Sequence, residues 1–147
     1  MTKEGPIGES QVIDLVERNW YITVDSVAYI PAGVSTHNWL VAGADGQHIF
    51  RDGGAFSDYV RFQCDVYAAL GEGDFPYEIP RPILSSHGQH VVNEGDSHYA
   101  LYPYIYGDTM NNSSSLNGQR VGNMLAAYHS GVARIDYSDY RQLRSKE

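Results

Sequence analysis

The stretch His37 to Arg51, HNWLVAGADGQHIFR, constrains the fold of this chain more than any other. Two runs rich in β-branched and aromatic residues, 37–42 (HNWLVA) and 47–51 (QHIFR), flank Ala44-Asp45-Gly46. Asp-Gly tolerates the positive φ of a tight hairpin turn, so the two runs are expected to pair as antiparallel strands. Upstream, residues 21–30 (YITVDSVAYI) have the same character and are expected to form a third strand. The link between them, Ala32-Gly33-Val34-Ser35-Thr36, is built from small residues. Two readings of it stay open: a plain turn, or a loop whose backbone N–H groups approach an anion closely.

Helical patterning frames these strands. Val12, Ile13, Leu15 and Val16 share one side of a short N-terminal helix, with Ser10 as its expected N-cap. Phe56, Tyr59, Val60, Gln63, Val66, Tyr67 and Leu70 form the inward stripe of a helix over 56–70, started by Ser57 and Asp58 and ended by Gly71. Gln63 is the polar member of that stripe. The Pro-punctuated connector FPYEIPRP follows, since Pro80 and Pro82 are incompatible with a central strand. Strands are expected at 83–86, 89–92 and 98–105, with Pro103 marking where the chain leaves the sheet. After a polar loop from Gly107 to Ser115, the residues Leu116, Val121, Met124, Leu125 and Tyr128 mark a further helix closed by Gly131. The last stretch, from Ala133, is polar and expected to be loosely held. This order predicts an α+β fold, an antiparallel sheet of about five strands with flanking helices.

Charge and composition narrow the function classes. The 147 residues carry a net charge of −8 with only 10 Lys plus Arg, which disfavours a polyanionic partner such as nucleic acid or an anionic membrane. A hydrophobic fraction of 42% and 12 tyrosines exclude a disordered acidic chain. There is no apolar run of membrane-spanning length and no hydrophobic signal core in MTKEGPIGES. The lone Cys64 cannot form an internal disulfide, and a cytoplasmic location is expected. Cys64 reads as a packing thiol. His87, His90 and His98 flank turns but lack Cys or carboxylate companions at ligand spacing, so they read as solvent-facing and not as a metal site.

Four stretches, taken together and in order, resemble the N-terminal ATP-binding lobe of the aminoglycoside phosphotransferase and choline-kinase-like small-molecule kinases. Gly33-Val34-Ser35-Thr36 followed by Trp39-Leu40-Val41 resembles the phosphate-covering hairpin, and His48-Ile49-Phe50-Arg51 the third strand ending on a basic residue. Gln63 to Leu70 resembles the lobe's helix, and YALYPYIYG, Tyr99 to Gly107, the strand and hinge beside the adenine pocket. Asn117 to Ser130 is similar to the helix after the hinge, with Tyr128-His129 where a leucine-histidine pair is frequent. The resemblance covers roughly residues 10–130. It implies a kinase-like lobe over 1–108, and a hinge helix and tail over 109–147 that begin a C-terminal lobe.

The implied nucleotide-binding residues are Gly33, Ser35, Thr36, Arg51, Gln63, Tyr102, Tyr104 and Ile105, with ATP as the ligand. Arg51 would grip phosphates with its planar fork, and backbone groups near Pro103, Tyr104 and Ile105 would meet the adenine edge. Two departures accompany the resemblance. Gln63 stands where the family has a Glu paired with the basic residue, so an amide replaces an ion-pair partner. The family's catalytic loop and metal-binding Asp, expected after the hinge helix, are not found before Glu147. His87 to Asn93 mimics that loop only superficially, with Gln89 at the position of the catalytic Asp. No catalytic residue and no metal ligand are therefore assigned, and Mg would join only with a second lobe. The expectation is a truncated lobe, inactive alone, that transfers the ATP γ-phosphate to a small hydroxylated substrate once its missing C-terminal lobe is supplied. The alternative is a non-catalytic module that homodimerises by burying Tyr102, Tyr104 and Tyr128.

Overall fold

The computed structural model describes residues 5–32, 36–54, 57–107 and 115–138. Helix α1 (Glu9–Trp20) leads into strands β1 (Ser26–Ile30), β2 (His37–Gly43) and β3 (Gly46–Asp52). Helix α2 (Ser57–Glu72), strands β4 (Val92–Glu94) and β5 (Ser97–Pro103), and helix α3 (Ser115–Val132) complete the described chain. The five strands form one antiparallel sheet in the order β1-β2-β3-β5-β4. The architecture is the expected α+β one.

The hairpin sets the register of everything around it. Gly43 pairs with Gly46, whose φ of 108° suits glycine, and the ladder runs outward to His37 opposite Asp52. Along β3, side chains alternate between faces. His48, Phe50 and Asp52 are buried on one side, while Ile49 and Arg51 lie half-buried on the other.

The first face packs on α1. Val12, Leu15, Val16 and Trp20 of the helix meet Trp39, Val41, Phe50, Tyr99 and Leu101 of the sheet. Aromatic rings step across the strands, with centroids 5.3 Å apart for Tyr29–Trp39, 5.8 Å for Trp39–Phe50 and 5.3 Å for Phe50–Tyr99. The second face receives α2. Val60 and Cys64 pack on Ala100, Tyr102 and Val91, with Ile49 and Tyr67 at the margin. A close approach at Gly53 brings α2 in, because a Cβ there would stand 2.9 Å from Val60.

Several local expectations are corrected. The N-cap of α1 is Gly8, not Ser10, and makes no side-chain capping bond. The first strand starts at Ser26 rather than residue 21. Tyr21 takes a left-handed conformation (φ 55°), and Glu17 caps the turn by accepting the Val24 N–H at 3.0 Å. The chain then crosses Gly43, where a Cβ would lie 2.0 Å from the Thr23 carbonyl oxygen. The helix over 56–70 continues through Gly71 to Glu72, and the hinge helix passes Gly131 to Val132.

The expected strands 83–86 and 89–92 do not form. One turn bond joins them, Ser85 N–H to the Gln89 carbonyl, but Ile83 and Ser86 bond to separate elements: Ile83 N–H to Leu101, Ser86 N–H to Asn19, and the Ile83 carbonyl to the Trp20 indole. With no single neighbour there is no ladder, and the fourth strand begins only at Val92. The strand expected over 98–105 ends at Pro103. Expectations for Gly33, Ser35, Phe56 and residues 108–114 lie outside the described residues, as do those for the side chains of Ser57 and Leu116 and for the tail beyond Ser138. Among the described residues, no helix is long and apolar enough to cross a membrane.

Candidate nucleotide site

Arg51 and Gln63 meet. The alternation of β3 turns Arg51 toward α2, and the helical stripe turns Gln63 toward the sheet. Arg51 Nη1 donates to Gln63 Oε1, and Gln63 Nε2 in turn donates to the Tyr67 hydroxyl at 3.2 Å. On its other edge, Arg51 Nε donates to Oδ1 of Asn38 at 2.9 Å. The guanidinium carbon lies 5.1 Å from the centre of the Tyr102 ring, a cation–π contact.

Asn38 was missed by sequence reasoning, although the hairpin pointed to it. Five steps outward from the Gly43–Gly46 pair bring Asn38 directly opposite Arg51 on the same face.

Among the described residues, the groups that meet or underlie the guanidinium, Asn38, Gln63, Tyr67, Tyr102 and Cys64, are neutral. Burial pushes the Tyr102 phenol far above its ordinary range, and the adjacent Cys64 adds to the rise. Burial likewise raises Tyr67, against the opposing pull of Arg51. Burial drives Cys64 up to about 11, partly offset by its hydrogen bond with Tyr102, the Sγ–hydroxyl distance being 3.1 Å. These groups keep their protons at neutral pH, so the positive charge of Arg51 is not offset by them.

In front of Arg51 is a pocket of about 310 Å³ lined by Ile49, Tyr67, Pro80, Tyr102, Tyr104 and Ile105, with Pro103 at its edge. That volume is at the small end of ligand sites. Two larger hollows differ in charge. The one of about 840 Å³ beside Tyr29 and Trp39 has Glu9 as the charged residue in its lining. The one of about 400 Å³ beside Leu70 and Gly131 sets Asp74 and Asp136 against Arg134. Of the three, the Arg51 pocket is the one whose lining carries net positive charge.

The remaining sequence expectations separate. Arg51, Tyr102, Tyr104 and Ile105 come together in the pocket, with Gln63 behind Arg51. Thr36 is half-buried at the entry to β2. The Tyr104 N–H is already bound to the Gln47 carbonyl at 3.1 Å, and Pro103 has no N–H, so of these three residues only Ile105 has an N–H with no backbone partner among the described residues. Tyr102 is 2% exposed, so it cannot supply the dimer surface that the alternative reading required of it. His90 approaches Asp65 at 3.7 Å, and His98 is half-buried rather than solvent-facing, its Nδ1 without a hydrogen-bond partner among the described residues. Among the described residues, no three His, Cys, Asp or Glu side chains converge as metal ligands do.

No family sequence model and no curated protein sequence matches the chain. Solved structures do. Spectinomycin phosphotransferase in complex with ADP and spectinomycin matches with a TM-score of 0.75 at 16% identity, over 94% of this chain and 42% of that one. The AMP-bound complex of spectinomycin phosphotransferase gives 0.72 at 16% identity, over 93% and 41%. An aminoglycoside phosphotransferase from Alicyclobacillus acidocaldarius gives 0.70 at 14% identity, over 95% and 39%. The fold is that of an aminoglycoside phosphotransferase N-terminal lobe. The chain spans about two-fifths of the length of these phosphotransferases. In this phosphotransferase-like lobe, Arg51 is the last residue but one of the third strand, which runs on to Asp52 rather than ending on the basic residue, and Tyr104 follows the fifth.

Proposed function

We propose that this lobe binds ATP, with the phosphates at Arg51, backed by the buried Tyr102 ring, and the adenine against Ile49, Tyr104 and Ile105. One observation carries the reading: a guanidinium that, among the described residues, is hydrogen-bonded by neutral groups and lines a largely apolar pocket. Such a cation keeps its charge for an anion, and its planar fork suits phosphate oxygens. The fold supports the reading, since two of its structural neighbours were solved with ADP and AMP.

The reaction we assign to the whole architecture is transfer of the ATP γ-phosphate to a small hydroxylated acceptor of aminoglycoside, choline or homoserine type, in the cytoplasm. Phosphoryl transfer is chiefly positioning and charge neutralisation around metal-bound phosphates. Arg51 supplies part of that neutralisation. Among the described residues no carboxylate lines the pocket, so none of them is assigned to hold Mg or to accept the acceptor's proton. These 147 residues are therefore expected to bind nucleotide without transferring phosphate.

Titration calorimetry with ATP and pyrophosphate tests the binding. Arg51→Ala is expected to weaken both by about tenfold or more. Absence of binding at millimolar concentration, or equal binding by Arg51→Ala, overturns the reading. A phosphotransfer assay on the 147-residue chain is expected to give no turnover with any of the three acceptor types. Activity that persists through stringent repurification would sink that expectation.

A further inference from the structure

The Arg51 side chain is held by one bond from a strand and one from a helix. Asn38, its cross-strand partner, accepts from Nε, and Gln63 of α2 accepts from Nη1. An arginine has donors only, so both amides must present their oxygens to it. Two bonds on different edges of a planar group fix its plane as well as its position. Arginine carries five N–H donors, and among the described residues neither of these bonds uses Nη2.

The residue type at position 38 matters as much as its position. A carboxylate there would hold the guanidinium more tightly, yet would cancel its charge and repel phosphate oxygens. An aliphatic side chain would preserve the charge and release the geometry. An amide oxygen gives both fixed geometry and free charge.

We propose that Asn38 is a positioning residue that aims the Arg51 guanidinium into the pocket while leaving its charge uncompensated for the diphosphate or triphosphate group of a nucleotide. The proposal rests on the nucleotide reading above and adds a residue and a charge requirement to it. Asn38 acts through Arg51.

Two variants separate anchoring from charge. In Asn38→Leu, the Arg51 Nε–H resonance in a proton–nitrogen spectrum, identified by its absence in Arg51→Ala, is expected to exchange with water about tenfold faster, and ATP affinity to fall about tenfold. In Asn38→Asp, the same resonance is expected to stay protected and the melting temperature to rise, while ATP affinity still falls by about tenfold. A purely structural role for residue 38 would not make stability and affinity move in opposite directions.

The proposal is overturned if Asn38→Leu keeps the exchange rate or the ATP affinity of the wild type, or if Asn38→Asp binds ATP as tightly as Asn38 does. If the wild type binds neither ATP nor pyrophosphate at millimolar concentration, the nucleotide reading fails by itself. The anchoring by Asn38 is then decided by the exchange measurement alone.

Discussion

The two faces of the sheet are built on different rules. On the α1 side, Trp39, Val41, Phe50 and Leu101 are sealed from solvent, with Trp20 and Tyr99 packed against them. On the α2 side, Val60, Cys64, Ala100 and Tyr102 close only part of the surface, and Arg51 and Ile49 stay half-open beside the pocket. Phe50 and Arg51 are neighbours in sequence, yet one is sealed in the core and the other stands half-open beside a pocket. A single strand does both because its side chains alternate between faces.

The largest expected effect tests that division at its sharpest point. Phe50→Ala removes a fully buried ring and should cost about 3–5 kcal/mol of unfolding free energy in urea titrations. Arg51→Ala, one residue along, should change stability by less than about 1 kcal/mol. Equal losses from the two would erase the distinction between the faces.

A second measurement uses the protons held under the α2 face. The Cys64 thiol is raised from 9.0 to about 11 in the folded chain. Above the unfolded value, the unfolded chain has released a proton that the folded chain still holds, so stability must fall as pH rises. The full contribution is present below about pH 9 and is lost through about pH 11, a decline on the order of 2 kcal/mol. Tyr102 acts in the same direction. Denaturant titrations across this range should show a shallower decline in Cys64→Ala.

The smallest effect sharpens the contrast from the ligand side. Gln63→Glu would give Arg51 an anionic partner and should raise stability by about 0.5–1 kcal/mol, as expected of a partly exposed pair. The melting temperature reads this out. A decrease would mean that the amide is better accommodated than a carboxylate beneath Tyr67.

What was legible in the sequence follows from how local each signal is. The hairpin was readable because Asp45-Gly46 fixes a turn and the turn fixes a register. That Arg51 meets Gln63 followed from two periodicities, one of a strand and one of a helix. The segment 83–91 was misread because its backbone partners, Asn19, Trp20 and Leu101, are scattered along the chain. Its residue types look like strand, but strand formation needs a continuous neighbour. The start of β1 was placed too early for a similar reason, since a Glu17 side chain four residues before Tyr21 redirects the chain. Tyr102 was expected to line the pocket, yet its burial and its bond to Cys64 depend on how deeply α2 settles on β5.

The bonds of Gln47 have a mechanical consequence. Its carbonyl holds the Tyr104 N–H at 3.1 Å and its side-chain oxygen accepts from the Tyr106 hydroxyl at 3.2 Å, so the segment leaving β5 is pinned to the start of β3. Arg51 stands at the other end of the same strand. Four residues of extended chain separate Gln47 from Arg51, a span of roughly 13 Å. The strand thus acts as a gauge bar between the two ends of the pocket, with its length set by covalent geometry. A molecule that touches both ends must match that bar, and shortening β3 by a single residue would change its length by about 3 Å and turn the gripping end to the opposite side of the sheet.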